Sequence, residues 1–98
     1  MRLLWASAAE RDRLLIFEHI ARDNPAAAVR VDDAIAAAAA TLREHPRAGK
    51  AGLIAGTREL IPVEHYRLVY EVTADAVLIL AVVHTARMWP PSGHPPHF

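Results

Sequence analysis

Residues 66–90 read YRLVYEVTADAVLILAVVHTARMWP, and the fold turns on this stretch. In Tyr66 to Val72 the side chains alternate: Tyr66, Leu68, Tyr70 and Val72 point one way, Arg67, Val69 and Glu71 the other. Thr73-Ala74-Asp75-Ala76 supplies a short turn. Val77 to Val83 is an unbroken aliphatic run rich in β-branched residues, the composition of a strand covered on both faces. Two adjacent antiparallel strands follow from this pattern. The second ends in His84-Thr85-Ala86-Arg87, beside Trp89. This polar end either carries the function or is only where the sheet reaches water.

Upstream, Thr57 to Val63 forms a further strand, with Pro62 near its end suiting an edge or a bulge. Arg47 to Gly56 precedes it as a loop holding three of the four glycines and the single lysine, Lys50. A glycine loop with basic residues can hold phosphate through backbone amides. This one lacks the spacing of a P-loop, and the plainer reading is a connection whose Leu53 and Ile54 tuck into the core. Pro46 closes a helix that starts at Pro25 and runs to about His45, with Val31, Ile35, Ala38 and Leu42 on one stripe. Asn24 is a good N-cap and Pro25 a good first helical residue, so Asp23-Asn24-Pro25 separates two helices that form a hairpin. The earlier helix spans Ala8 to about Asp23 and is expected to bury Leu14, Phe17, Ile20 and Ala21, with His19 on its surface. Ser7 and Glu10 have the spacing of a capping box at its start. Leu3 to Ala6 suit a short first strand.

The resulting order is strand, helix, helix, strand, strand, strand: an α+β fold with the helix hairpin on one face of a small, mostly antiparallel sheet. Residues 1–90 make the domain, and 91–98 a proline-rich tail. The helices can cover one face only, so the aliphatic last strand implies a partner on the other.

Composition narrows the function. The 98 residues suffice for one core and no more. Eleven basic residues balance 11 acidic ones, without the basic excess of a free-standing nucleic-acid binder. Ten of those 11 are arginines, which grip carboxylates or phosphates bidentately. Cysteine is absent, which excludes thiol chemistry. No apolar run approaches the roughly 20 residues of a membrane span. No metal or cofactor is implied: His94 and His97 in the tail lack companion ligands. A cytoplasmic protein is expected.

With these elements in order, the chain resembles toxins of the RelE/ParE superfamily of bacterial type II toxin–antitoxin systems. The likeness rests on Asp23-Asn24-Pro25, Pro46 and the glycines after it, Gly56-Thr57-Arg58-Glu59-Leu60, Tyr66-Arg67-Leu68-Val69-Tyr70 and Val83-His84-Thr85-Ala86-Arg87-Met88-Trp89-Pro90. It implies a cytoplasmic growth inhibitor silenced by a cognate antitoxin. RelE-like members cut messenger RNA on the ribosome without metal, and ParE-like members poison DNA gyrase. For cleavage the chain offers Arg58, Arg67 and Arg87 as phosphate clamps and His84 as general acid or base. The same residues with Trp89 are the candidates for binding a target. Plainer roles stand beside these: His84 bonded to backbone at a strand end, Arg67 paired with Glu59 or Glu71, and Trp89 as a lid on the core. A single lysine and the absence of tyrosine beyond Tyr70 favour the gyrase reading. The alternatives are an mRNA endonuclease or a non-toxic binding module that keeps the fold.

Overall fold

A computed structural model describes residues 1–86 and 89–90. The elements are β1 (Arg2–Trp5), α1 (Ser7–Ala21), α2 (Pro25–Thr41), β2 (Lys50–Ala51), β3 (Arg58–Val63), β4 (Tyr66–Val72) and β5 (Ala76–His84). They form one five-stranded sheet in the order β1-β5-β4-β3-β2. β1 runs parallel to β5, and every other pairing is antiparallel. The architecture is the expected α+β arrangement, with two additions. The two-residue β2 extends the sheet within the stretch read as loop, and β1 takes the edge beside the last strand.

The Asn24-Pro25 junction behaves as its chemistry dictates. Asn24 Oδ1 accepts from the Ala27 amide at 3.0 Å, and Pro25 opens α2, where no amide hydrogen is needed. α2 buries Ala28, Ile35 and Ala39, and Leu42 follows just past its end. Ile35, Ala39 and Leu42 join Ala9, Tyr66, Leu68, Tyr70, Val77, Ile79 and Val82 in the core between hairpin and sheet.

α1 departs from expectation at both its start and its facing. Ala6, not Ser7, is the N-cap, and no side chain caps the helix. The Ala6 amide is tied to the sheet by donating to the Ile79 carbonyl at 2.8 Å, which starts the helix too early for a capping box. Ala9, Ile16 and Ile20 face the core, while Leu14 is 57% exposed and Leu15 55%. Polar anchoring sets this rotation. Asp12 Oδ2 accepts from the Val82 amide at 3.0 Å, and Arg13 pairs bidentately with Asp32 of α2 at 3.0 and 2.9 Å. The Arg13 guanidinium also lies 4.7 Å from the Trp5 ring centre. With residues 12 and 13 turned inward, Leu14 and Leu15 must turn outward. Phe17 is half-buried, beside Leu14 at the groove between the helices. Full burial would make Phe17→Ala cost 3–5 kcal/mol; half-burial lowers the expected cost to about 1–2 kcal/mol in urea unfolding.

Two irregularities shape the sheet. The β3–β4 register shifts between Leu60 and Val63, around Pro62, as a proline in a strand requires. The β4–β5 register shifts where Val69 pairs with Ala81 and Tyr70 with Ile79, leaving Leu80 as the extra residue of a bulge. Beyond it Val82 joins the helix-side core that Val77 and Ile79 began. On the face away from the helices, Val69 and Ala81 are buried, as is the bulged Leu80. The open aliphatic face expected there is therefore not found at these positions. The large apolar side chains left in water include Leu14, Leu15, Leu53 and Ile61. Leu53, expected in the core, is 69% exposed.

Candidate functional site at the carboxyl end of β5

The cross-strand pair of Tyr66 and His84 places an imidazole where β5 leaves the sheet. His84 packs edge-on to Tyr66, with ring centres 5.3 Å apart, and stacks on His65 at 5.8 Å with the planes 5° from parallel. His65 reaches it from the tight turn between β3 and β4, where its φ of 77° is rare for a residue with a side chain. The Thr85 amide locks that turn by donating to the His65 carbonyl at 2.8 Å. His84 Nδ1 accepts from the Ala86 amide at 3.0 Å, which assigns the ring's proton to Nε2 in the neutral form.

A cavity of about 460 Å³ opens here, lined by Asp12, Leu15, Ile16, His19, Tyr66, Val82 and His84. His19 is exposed, as the sequence reading has it, and also lines the rim of this cavity. The spacing 12, 15, 16, 19 falls on one helical stripe and could have revealed this, because a carboxylate and an imidazole two turns apart share a face. Among the described residues, no group of three or more His, Cys, Asp or Glu side chains is placed to hold a metal ion.

Arg58 and Arg67 do not converge on His84. Arg58 pairs with Tyr70, four residues along β4 from Tyr66, or roughly 13 Å of strand. There it is bound to the loop before β2, donating to the Gly49 carbonyl at 2.7 Å and to that of Arg47 at 3.5 Å. Tyr70, fully buried, completes this clamp: its hydroxyl donates to the Pro46 carbonyl at 2.8 Å and accepts from the Gly49 amide at 2.9 Å. Tyr70→Phe leaves both backbone groups without that partner, at an expected cost of about 1–3 kcal/mol by urea unfolding. An unchanged midpoint would show that the loop holds without the clamp. Arg67 lies on the sheet face away from the helices, with Nε 3.4 Å from Glu59 Oε1. This is the cross-strand pair anticipated for it. Trp89 is half-buried, and Arg87, like the tail histidines His94 and His97, lies outside the described residues.

No helix is long and apolar enough to cross a membrane among the described residues. Residues 3–89 match the family described as ParE toxin of type II toxin-antitoxin system, parDE. A Sinorhizobium fredii protein, "Putative toxin Y4kP", is 38% identical over 90 residues, spanning 91% of this chain and 93% of its own. Solved structures share the fold. A chain of the "Chromosomal ParDE TA system from P. aeruginosa" superposes with a TM-score of 0.77 at 22% identity, covering 86% of this chain and 95% of that one. The "YoeB/ParE toxin from Agrobacterium tumefaciens" gives 0.60 at 18% identity, covering 86% and 98%. A YafQ mutant from E. coli gives 0.57 at 12%, covering 88% and 96%. Since the family match runs through all the elements from β1 to β5 and the Sinorhizobium relative spans nearly the same length, the chain belongs to the ParE toxin family of type II toxin–antitoxin systems.

Proposed function

We propose that this toxin acts in the cytoplasm by poisoning DNA gyrase and is neutralised by a cognate antitoxin. The observation that carries the reading is the engagement of three candidate catalytic side chains, Arg58, Arg67 and His84. Arg58 is bonded to loop carbonyls, Arg67 to a buried glutamate, and the Nδ1 of His84 to backbone. A nuclease without metal needs a general base and cationic clamps converging on one phosphate, aimed at charge that develops in the transition state. Here Arg58 and His84 stand at opposite ends of β4, and Arg67 faces away from both. A poison that works by binding needs no such convergence. Its affinity is spread over an interface with a few strong contacts.

The mRNA endonuclease remains the second reading because Asp12, His19 and His84 line one cavity. His84→Ala separates the two. A nuclease that uses the imidazole as acid or base loses about 10²–10⁴ in rate. The gyrase reading expects less than about a tenfold loss of toxicity, unless the ring is itself a strong contact. The direct test adds purified toxin to gyrase with supercoiled plasmid and, separately, to a translating extract. Trapped gyrase–DNA cleavage complexes are the expected result. Codon-phased cuts in the messenger without such complexes would overturn it, and growth without inhibition would favour a binding module that has lost its target.

A further inference from the structure

At the end of the sheet remote from His84, a cleft of about 330 Å³ lies between Pro46 and Arg47, Gly56 and Arg58, and the end of β4 at Val72 and Thr73, with Met1 as a further wall. Among the described residues, no acidic side chain lines it. The carboxylate nearest in sequence to Arg58, that of Glu59, is held on the other sheet face by Arg67. Arg58 is fixed in place because one guanidinium nitrogen is engaged by the Gly49 and Arg47 carbonyls. The Nε and second terminal nitrogen of Arg58 make no hydrogen bond or ion pair within the described residues. Arg47 is exposed, and its guanidinium likewise has no partner there. Arg43 braces the Met1 wall, with Nε 3.3 Å from the Met1 carbonyl.

Two guanidinium groups thus share a cleft without a counter-charge among the described residues, between apolar walls from Pro46, Val72 and Met1. Guanidinium forks match an oxyanion bidentately, and the held position of Arg58 reduces the ordering cost of binding. The volume exceeds what a single carboxylate needs and leaves room for an apolar neighbour. Nucleic acid fits less well, because its affinity grows with the number of phosphates neutralised. This cleft offers two arginines in a chain of zero net charge.

We propose that the Arg47–Arg58 cleft is a docking subsite for a glutamate or aspartate side chain, with an apolar neighbour, of the neutralising protein. The identity of that protein rests on the neutralisation proposed above; the chemistry of the cleft does not.

The test titrates the full chain with acetyl-Leu-Glu-Leu-Glu-amide, with its Gln counterpart acetyl-Leu-Gln-Leu-Gln-amide, and with a 12-nucleotide single-stranded DNA, following backbone amide resonances. The glutamate peptide is expected to shift Arg47, Gly56, Arg58 and Val72, and to bind at least about tenfold more tightly than the glutamine peptide. Arg47→Glu, a change at an exposed residue, is expected to abolish the response while leaving the thermal midpoint in place. Equal binding of the two peptides, shifts confined to another surface, persistence in Arg47→Glu, or tighter binding of the oligonucleotide at these residues would each overturn the assignment. A neighbouring gene product that fails to relieve growth arrest would sink the neutralisation reading and leave the peptide result standing.

Discussion

Ile35→Ala is expected to destabilise the toxin by about 2–5 kcal/mol, a large fraction of the 5–15 kcal/mol that holds a small domain together. Ile35 is fully buried in the middle of α2, within the cluster that joins both helices to β4 and β5. Truncation removes apolar surface from the core and leaves a void that the surrounding side chains fill only in part. Leu14→Ala is the matched control, because Leu14 is a similar side chain that stands mostly in water. Its cost should stay within about 0.5 kcal/mol. Urea unfolding of both variants reads the facing of the hairpin directly. Comparable losses at the two positions would mean that α1 is rotated from its described position.

Glu59→Ala is the second large effect, expected at about 3 kcal/mol. The Glu59 side chain is 4% exposed, and each carboxylate oxygen has a role. One oxygen lies 3.4 Å from Arg67 Nε, and the other accepts the Leu53 amide at 3.0 Å. Alanine strands a guanidinium that is only 21% exposed and releases the loop between β2 and β3. Glu59→Gln keeps an oxygen for the Leu53 amide while removing the charge, so it should cost less than alanine. Midpoints in urea rank the two. If glutamine proves as damaging as alanine, the charge pair alone sustains the site; if neither change matters, the carboxylate is not holding the loop.

The sequence exposed what depends on local pattern. Alternation in Tyr66–Val72, the aliphatic run that became β5, and Asn24-Pro25 each encode a backbone conformation within a few residues. The family resemblance followed because those signals occur in order. What stayed hidden depends on contacts between distant residues. The facing of α1 is set by Asp12 reaching the Val82 amide, 70 positions away, and no hydrophobic periodicity reports a carboxylate aimed at a strand. The bulge at Leu80 shifts the parity of β5, so counting along an unbroken strand misassigns its last residues. Alternation set Arg67 on the face opposite Tyr66, but no local signal separates Arg58 from His84. The register shows that these two stand at opposite ends of β4.

The parallel pairing of β1 with β5 also fixes an order of events during synthesis. Arg2 pairs with Ala76 and Trp5 with Ile79, so β1, made well before β5, has no seat until β5 has followed it. Contacts that distant along the chain form late, because the loop they close is long. Leu3 and Trp5, both packed against the core, wait in the nascent chain together with the end of α1 that Ala6 ties to Ile79. A fragment stopping short of Ala76 lacks the partner strand on which both the amino-terminal strand and α1 are seated. The amino-terminal strand and the start of α1 therefore reach their seats only once β5 has been made.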